Sequence, residues 1–259
     1  MSRDPVEPRL KRIVGTPLTT RPLRAGSTLT GGDGERMVQQ QQRAIETKEQ
    51  LLSAAAEVFG RQGYRATTLN DILGSTNLTQ GALYFHFKSK VGIAEEILRR
   101  QHELSNALGA SFLQSGDGGL VSIVRLSGAL AAQILTEPIV RAGLRLGTES
   151  AEDLPGAAAP YRDWIEMAHE LLRRADTEGD LRPGLNLEAA AELVISAFTG
   201  TQFVSAALSG SADLLERLER LWPVLLGGMA GDPGHPAVAR ASELVRAGAS
   251  TGMDAGIPS

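Results

Sequence analysis

The sequence predicts an all-α protein, and three observations predict it. Apolar residues recur at the three-to-four spacing of a helix through most of the chain. No stretch sustains the two-residue alternation of a half-buried strand, and no fixed-period repeat is visible. Ser, Thr and Gly fall where such helices would begin and end.

The elements follow in order. Residues 1–36 are rich in Pro, Gly, Thr and Arg without an apolar period, so they read as a disordered N-terminal extension. Met37 then opens "MVQQQQRAIETKEQLL", and an alternative reading starts translation there. From about 43 to 61, Ile45, Leu52, Ala55, Ala56 and Phe59 form one helical face, with Gly63 as the expected stop. Thr68 caps a short helix carrying Leu69, Ile72 and Leu73. After the turn "STNL", Thr79 caps a second short helix from Gln80 to about Phe85. Ser89 caps a helix running to about Gly109. Further helices are expected over about 120–135, over 139–147 after a break at Pro138, and over 157–178, 187–208 and 212–227. A weak one is expected at 236–248. The expected organisation is an extension (1–36), a three-helix head (37–91), a larger helical domain (92–230) and a C-terminal tail (231–259).

With 42% apolar and 22% charged residues, the composition reads as soluble and globular. No window reaches the ~18 to 20 apolar residues of a membrane span. No apolar leader follows the basic N-terminal residues, so no membrane partner is expected. The absence of cysteine excludes disulfides, thiol catalysis and thiolate metal sites, and fits a reducing cytoplasm. The net charge of −4 is unevenly spread: +3 over residues 1–36, +2 over 37–91 and −9 over 92–259. A mildly basic front on an acidic body suits a head that faces nucleic acid.

The most informative stretch is "TQGALYFHFKSK", Thr79 to Lys90. Two short helices joined by a tight turn have helix-turn-helix spacing, in which the second helix enters the major groove. Thr79, Gln80, Gly81 and Ala82 are small or hydrogen-bonding, so backbone can approach DNA closely. Gln80 can donate and accept at a base edge, with adenine its best match. Leu83, Phe85 and Phe87 are expected to point inward. Tyr84 and His86 offer a hydroxyl and a ring N–H to phosphate, and Lys88 and Lys90 add charge. Arg43 and Thr68 complete the expected DNA-binding set, with double-stranded DNA as partner.

The stretch "AAAEVFGRQGYRATTLNDILGSTNLTQGALYFHFKSKVGIAEEIL", residues 54–98, resembles the DNA-binding region of the TetR family of repressors. Ala55, Phe59, Gly63, Thr68, Ile72, Gly81, Tyr84, His86, Phe87 and Lys90 stand at family positions. "GALYFHF" and the later "YRDWIEMAHELLRRADTEGDLRPG" are similar to the γ-butyrolactone (autoregulator) receptor branch, Trp164 matching its pocket tryptophan. Two departures stand out: Gln80 occupies a position where the branch usually has lysine, and Val91-Gly92 replaces a charged pair. The resemblance implies a homodimer, an inducer pocket in the larger domain and a small diffusible γ-butyrolactone-like, butenolide or furan signal. It also implies repression of the protein's own gene or of secondary-metabolite genes. A pseudo-receptor answering to an antibiotic or pathway intermediate remains open, as does a small-molecule binding protein without operator binding.

In the larger domain, "EAAAELVISAFTGTQFVSAAL" is small and apolar on more than one face. "ADLLERLERLWPVLLGGM" aligns Leu214, Leu215, Leu218, Leu221 and Leu225. Paired across a two-fold axis, these helices would form a four-helix dimer interface. Gln133, Thr201 and Gln202 are polar residues inside apolar helices, where an unpaired group costs roughly 1–3 kcal/mol, so each either bonds backbone or faces ligand. Phe112, Ile134, Phe198 and Phe203 are candidate apolar walls. The chain has no G-x-S-x-G, Walker or G-x-G-x-x-G motif. Its four histidines (His86, His102, His169 and His235) have no metal-ligand spacing. No enzyme activity, metal or cofactor is expected.

Overall fold

The computed structural model of the chain describes residues 31–149, 152–154 and 157–255. Readings that concern residues 1–30 lie outside the described residues. The chain divides into two compact units, residues 1–43 and 44–259. The first helix, α1, is Gly31–Ala66. In the first unit residues 31–43 are described, and all are helical. The last six residues of the expected disordered extension, 31–36, are therefore helical. Glu35, Arg36, Met37 and the glutamines behind them are good helix formers and prevail over three interspersed glycines.

In the second unit, α1 passes Gly63 at φ 79° and ψ 172° before one last turn to Ala66. Only glycine adopts that conformation at little cost. Then come α2 (Leu69–Gly74), α3 (Gln80–His86) and α4 (Lys90–Leu113). The body holds α5 (Gly119–Thr136), α6 (Pro138–Glu149), α7 (Ala159–Glu178), α8 (Leu187–Ser209), α9 (Leu214–Met229), α10 (Pro236–Ala239) and α11 (Ala241–Ala255). Among the described residues there is no strand, only a single antiparallel bridge between Leu181 and Ala230.

Two cores form. The first joins Leu52 and Phe59 of α1, Ile72 of α2, Leu83 of α3, Ile97 of α4 and Leu146 of α6. The head's core thus extends past residue 91 into α4 and α6. The second core gathers α5, α7, α9 and α11 around Leu120, Val124, Leu171, Trp222 and Val245.

Three expectations change. The described part of the expected tail, residues 231–255, is packed: α11 lies against α5, with Ala241, Leu244, Val245 and Ala249 buried. The packing is backbone to backbone. A Cβ at Gly248 would sit 1.8 Å from the Arg125 carbonyl, and one at Gly128 would sit 2.0 Å from the Val245 carbonyl. Second, α5 and α8 are long and apolar enough to cross a membrane by length and composition, contrary to the sequence reading. Small residues hid this, since Ala, Gly and Ser separate the large ones. α5 lies 72% buried in the core, whereas α8 is 17% buried. Third, the leucine stripe of α9 packs inside its own chain. Leu214 and Leu218 are fully buried, Leu215, Leu221 and Leu225 line the same core, and Val224 is the large apolar residue α9 leaves exposed.

An ion-pair network ties α1 to α4. The Glu96 carboxylate accepts from Lys48 Nζ at 2.9 Å, Arg99 Nε at 2.9 Å and Arg100 Nε at 3.3 Å. Arg100 also reaches Glu49, with Nη2 2.5 Å from Oε1. The Arg99 hydrogen bond, with Lys48 beside it, outweighs desolvation and brings the Glu96 carboxyl down to about 2. A lowered carboxyl stabilises the fold fully above its unfolded value, 4.5, and loses that contribution as pH falls toward 2. Glu96→Gln should therefore lower stability at pH 7 by about 1–3 kcal/mol. The gap between variant and parent should narrow at pH 3.5 in chemical denaturation; an equal gap at both values would contradict the assignment.

Candidate DNA-binding surface and ligand cavity

The head is organised by its caps. At the start of α2, the Thr68 N–H donates to Asp71 Oδ2 at 2.7 Å and the Asp71 N–H donates to Thr68 Oγ1 at 3.2 Å, a capping box. At α3, Thr79 Oγ1 accepts from the Ala82 N–H at 3.2 Å. Leu83 and Phe87 are buried one turn apart and anchor α3. Its opposite side is open: Thr79, Gln80, Gly81, Tyr84 and Lys88 are exposed, and Ala82 and His86 half-exposed. A Cβ at Gly81 would meet nothing closer than Thr79 Oγ1 at 3.8 Å, so the fold itself does not require glycine there.

Seven of the expected DNA-binding residues thus share one short segment. Thr68 stands apart, its hydroxyl also bonded to Asp71. Arg43 belongs to the first unit. Two expectations are corrected. Phe85 does not point inward; it is 79% exposed and meets the His86 ring edge-on at 4.9 Å. At 100° per residue, Leu83 and Phe87 share a face and Phe85, two positions from each, falls opposite them. Lys90 is not an open charge for phosphate. Its ammonium donates to the Tyr64 and Thr67 carbonyls, both at 2.9 Å, and lies 4.2 Å over the Tyr64 ring. The carbonyls ending α1 need donors, and Lys90 supplies them.

The body holds a cavity of about 60 Å³ between α4, α5, α6, α7, α8 and α9, several times the room one water needs. Trp164, Phe198, Gln202 and Ile134 are among the residues that line it. Gln133 and Thr201 do not. Gln133 is buried, its Oε1 without a partner, and Thr201 falls outside the lining. Each α-helical residue turns 100°, so Gln202 and Phe198, one turn apart, face inward and their neighbour Thr201 does not. Of the other candidate walls, Phe203 is exposed and Phe112 is buried in the core away from the cavity.

Sequence reasoning missed Ser105, Met167, Thr199 and Trp222, which also form the wall. Ser105 was legible: Gln101 and Ser105 fall in register with Ile97 and Leu108 on the buried face of α4. The Trp222 Nε1–H donates to Ser127 Oγ at 2.6 Å, so that indole is satisfied. The Trp164 Nε1–H is buried without an acceptor. The Trp164 ring meets Tyr161 edge-on at 5.1 Å, and burial pushes the Tyr161 phenol up.

Residues 51–97 match the family of bacterial regulatory proteins called tetR, and residues 118–231 match the tetracyclin repressor-like C-terminal domain. The helix-turn-helix head and helical body are those of the TetR family of transcriptional repressors, and the chain belongs to it. Within that family it falls in the γ-butyrolactone receptor-like branch. The A-factor receptor protein of Streptomyces griseus is 34% identical over 198 residues, covering 76% of this chain and 67% of that protein. A crystal structure of a γ-butyrolactone receptor (ArpA-like protein) superposes with a TM-score of 0.69 at 30% identity, covering 81% of this chain and 99% of that one. The TetR-family protein CprB of Streptomyces coelicolor, solved with its operator sequence, superposes at 0.66 with 30% identity, covering 78% and 96%.

Lys88 and Lys90 should separate experimentally. Lys88→Ala should leave thermal stability unchanged and reduce the log–log salt slope of operator binding by about 0.9 for each subunit bound. Lys90→Ala should lower stability by about 2 kcal/mol and weaken operator binding without changing the slope. A slope change in the Lys90 variant would return that residue to the phosphate backbone.

Proposed function

We propose that the protein is a dimeric, ligand-responsive repressor that binds a near-palindromic operator and is released by a small γ-butyrolactone-like, butenolide or furan signal. The observation that carries the ligand reading is the cavity wall. It is apolar and aromatic, carries no charged side chain, and holds the neutral polar side chains of Ser105, Thr199 and Gln202 beside the indole of Trp164, whose buried N–H has no acceptor. Such a site suits a neutral molecule with an apolar tail and an acceptor oxygen. The similarity to butyrolactone receptors supports the same class.

The DNA reading rests on the open side of α3. Gln80 reads a base edge, while Tyr84, His86 and Lys88 hold phosphate. Dimerisation is supported by α8, which leaves Leu193, Phe203, Val204 and Leu208 exposed, with Val224 of α9. Gly200, Gly227 and Gly228 have open space where a Cβ would stand, which suits a closely approaching helix. A two-fold pair would set recognition helices roughly 34–36 Å apart, or a multiple of it, and hence a palindromic site. The ligand releases DNA provided it binds the DNA-incompetent state more tightly. Targets are the protein's own gene or secondary-metabolite genes, in the cytoplasm.

The test is a gel shift on the DNA upstream of the protein's own gene, with a panel of butyrolactones, butenolides and furans. Release by one of them names the class; a shift released only by antibiotics would replace the signal reading with the pseudo-receptor. Trp164→Phe keeps the ring and removes the N–H. It should leave operator binding unchanged and raise the ligand concentration for half-release about tenfold. Normal release would take the indole N–H out of ligand binding.

A further inference from the structure

Two features of the open side of α3 are not explained by the fold. Phe85 is the most exposed large apolar side chain among the described residues, and its ring meets only the His86 ring, edge-on. Gly81 lies one turn before it on the same strip of α3, where an added Cβ would have room. The strip thus runs from bare backbone to a bare aromatic ring, on the side away from the buried Leu83 and Phe87. Tyr84, His86 and Lys88 beside it have polar atoms that can hold phosphate, and Phe85 has none. From Thr79 to Lys90 there is no acidic residue, so the surroundings of the ring suit a polyanion. What the ring itself gains from is apolar contact. Base edges in the major groove present donors and acceptors at every pair but a single kind of apolar group, the 5-methyl of thymine.

We infer that Phe85 determines sequence specificity: its ring covers the 5-methyl group of one thymine in each half-site, and Gly81 lets the groove edge come close enough for that contact. The inference rests on the DNA reading of α3 and adds a base contact to it. The recognition depends on a methyl group and on no hydrogen bond. Gln80 and Phe85 are five positions apart, about 7.5 Å along the helix axis. That is about two base steps of roughly 3.4 Å each. The thymine is therefore a different base pair from the one Gln80 reads. Burial of a methyl group corresponds to about a fourfold gain in affinity. With one ring on each half-site, the operator gains about fifteenfold.

The probe is the tightest duplex that the full-length protein selects from a random pool. Each symmetry-related pair of thymines in it is replaced in turn by deoxyuridine, which keeps every hydrogen-bonding group and removes only the methyl. Binding is read by fluorescence anisotropy. One pair of replacements should weaken binding about fifteenfold, and 5-bromodeoxyuridine at the same places should restore it, since bromine fills the space of the methyl. Phe85→Ala, at an exposed position, should leave thermal stability unchanged and bind the thymine duplex about fifteenfold more weakly. Its response to deoxyuridine at that pair should be flat and its salt slope that of the parent. Gln80→Ala should keep the methyl dependence. A parent that shows no methyl-dependent pair overturns the inference and leaves the DNA reading standing. So does a Phe85→Ala variant that still responds to the methyl, because another residue would then read it. A lowered salt slope in that variant also overturns it, by placing the ring at the phosphate backbone. Failure to enrich any sequence removes the inference together with the DNA reading.

Discussion

The head depends on one ammonium group. Lys90 is the first residue of α4, and its Nζ closes onto the Tyr64 and Thr67 carbonyls at the end of α1. Everything between those points, the whole of α2, the turn and α3, is held at both ends by that contact. The end of α1 needs it because Gly63 breaks the helix there. The same end is held from the body side, where Arg145 Nη1 of α6 donates to the Gly60 carbonyl at 2.7 Å. Gly63 also makes room for this approach, since a Cβ there would lie 3.2 Å from Glu149 and 3.4 Å from Arg145. The exposed side of α3 is thus presented by buried and satisfied groups on three other helices, not by α3 itself, which is only seven residues long.

That dependence explains what could be read from the sequence. Caps are local: Thr68, Thr79 and Ser89 each bond the backbone three residues on, so their spacing announced α2, α3 and α4. The role of Lys90 is not local. Its partners lie 23 and 26 residues earlier, and a lysine beside a recognition helix reads first as a phosphate contact. Phe85 misleads differently, because an aromatic between the buried Leu83 and Phe87 reads as their companion when helical spacing places it opposite. In the body, α11 was nearly invisible. Its buried surface is made of Ala241, Val245, Ala249 and glycines beside one larger residue, Leu244, and the apolar signal of a helix comes from larger side chains.

The cavity was legible where an aromatic residue marked it and illegible where a helix turned. Trp164 could be singled out through its match to the pocket tryptophan of the receptor branch, whereas Phe198 was one of three phenylalanines offered as walls, of which Phe112 and Phe203 lie elsewhere. The choice between Thr201 and Gln202 required the phase of α8, which its sequence hardly fixes, being apolar nearly all round. A helix of that kind has no preferred face until its neighbours are known. One part of α8 meets the cavity and another is open, and both need apolar residues.

The same helix, α4, carries Lys90 at its first turn and Ser105 at the cavity wall. Its 24 residues span about 36 Å as a rigid rod. Along it, Gln101 donates to Ser105 and packs on Gly143 of α6, where a Cβ would lie 2.4 Å from its own. Gly109 is equally tight against Met167, a cavity residue, whose sulfur would lie 2.0 Å from an added Cβ. Close-packed contacts of this kind shift in discrete steps rather than yielding gradually. A ligand that displaces Met167 or draws on the Ser105 hydroxyl therefore acts on the helix whose other end fixes α1 against α3. Coupling between cavity and head then needs no separate pathway: it requires only that the α4 position preferred by the filled cavity differ from the one that seats Lys90 on the end of α1.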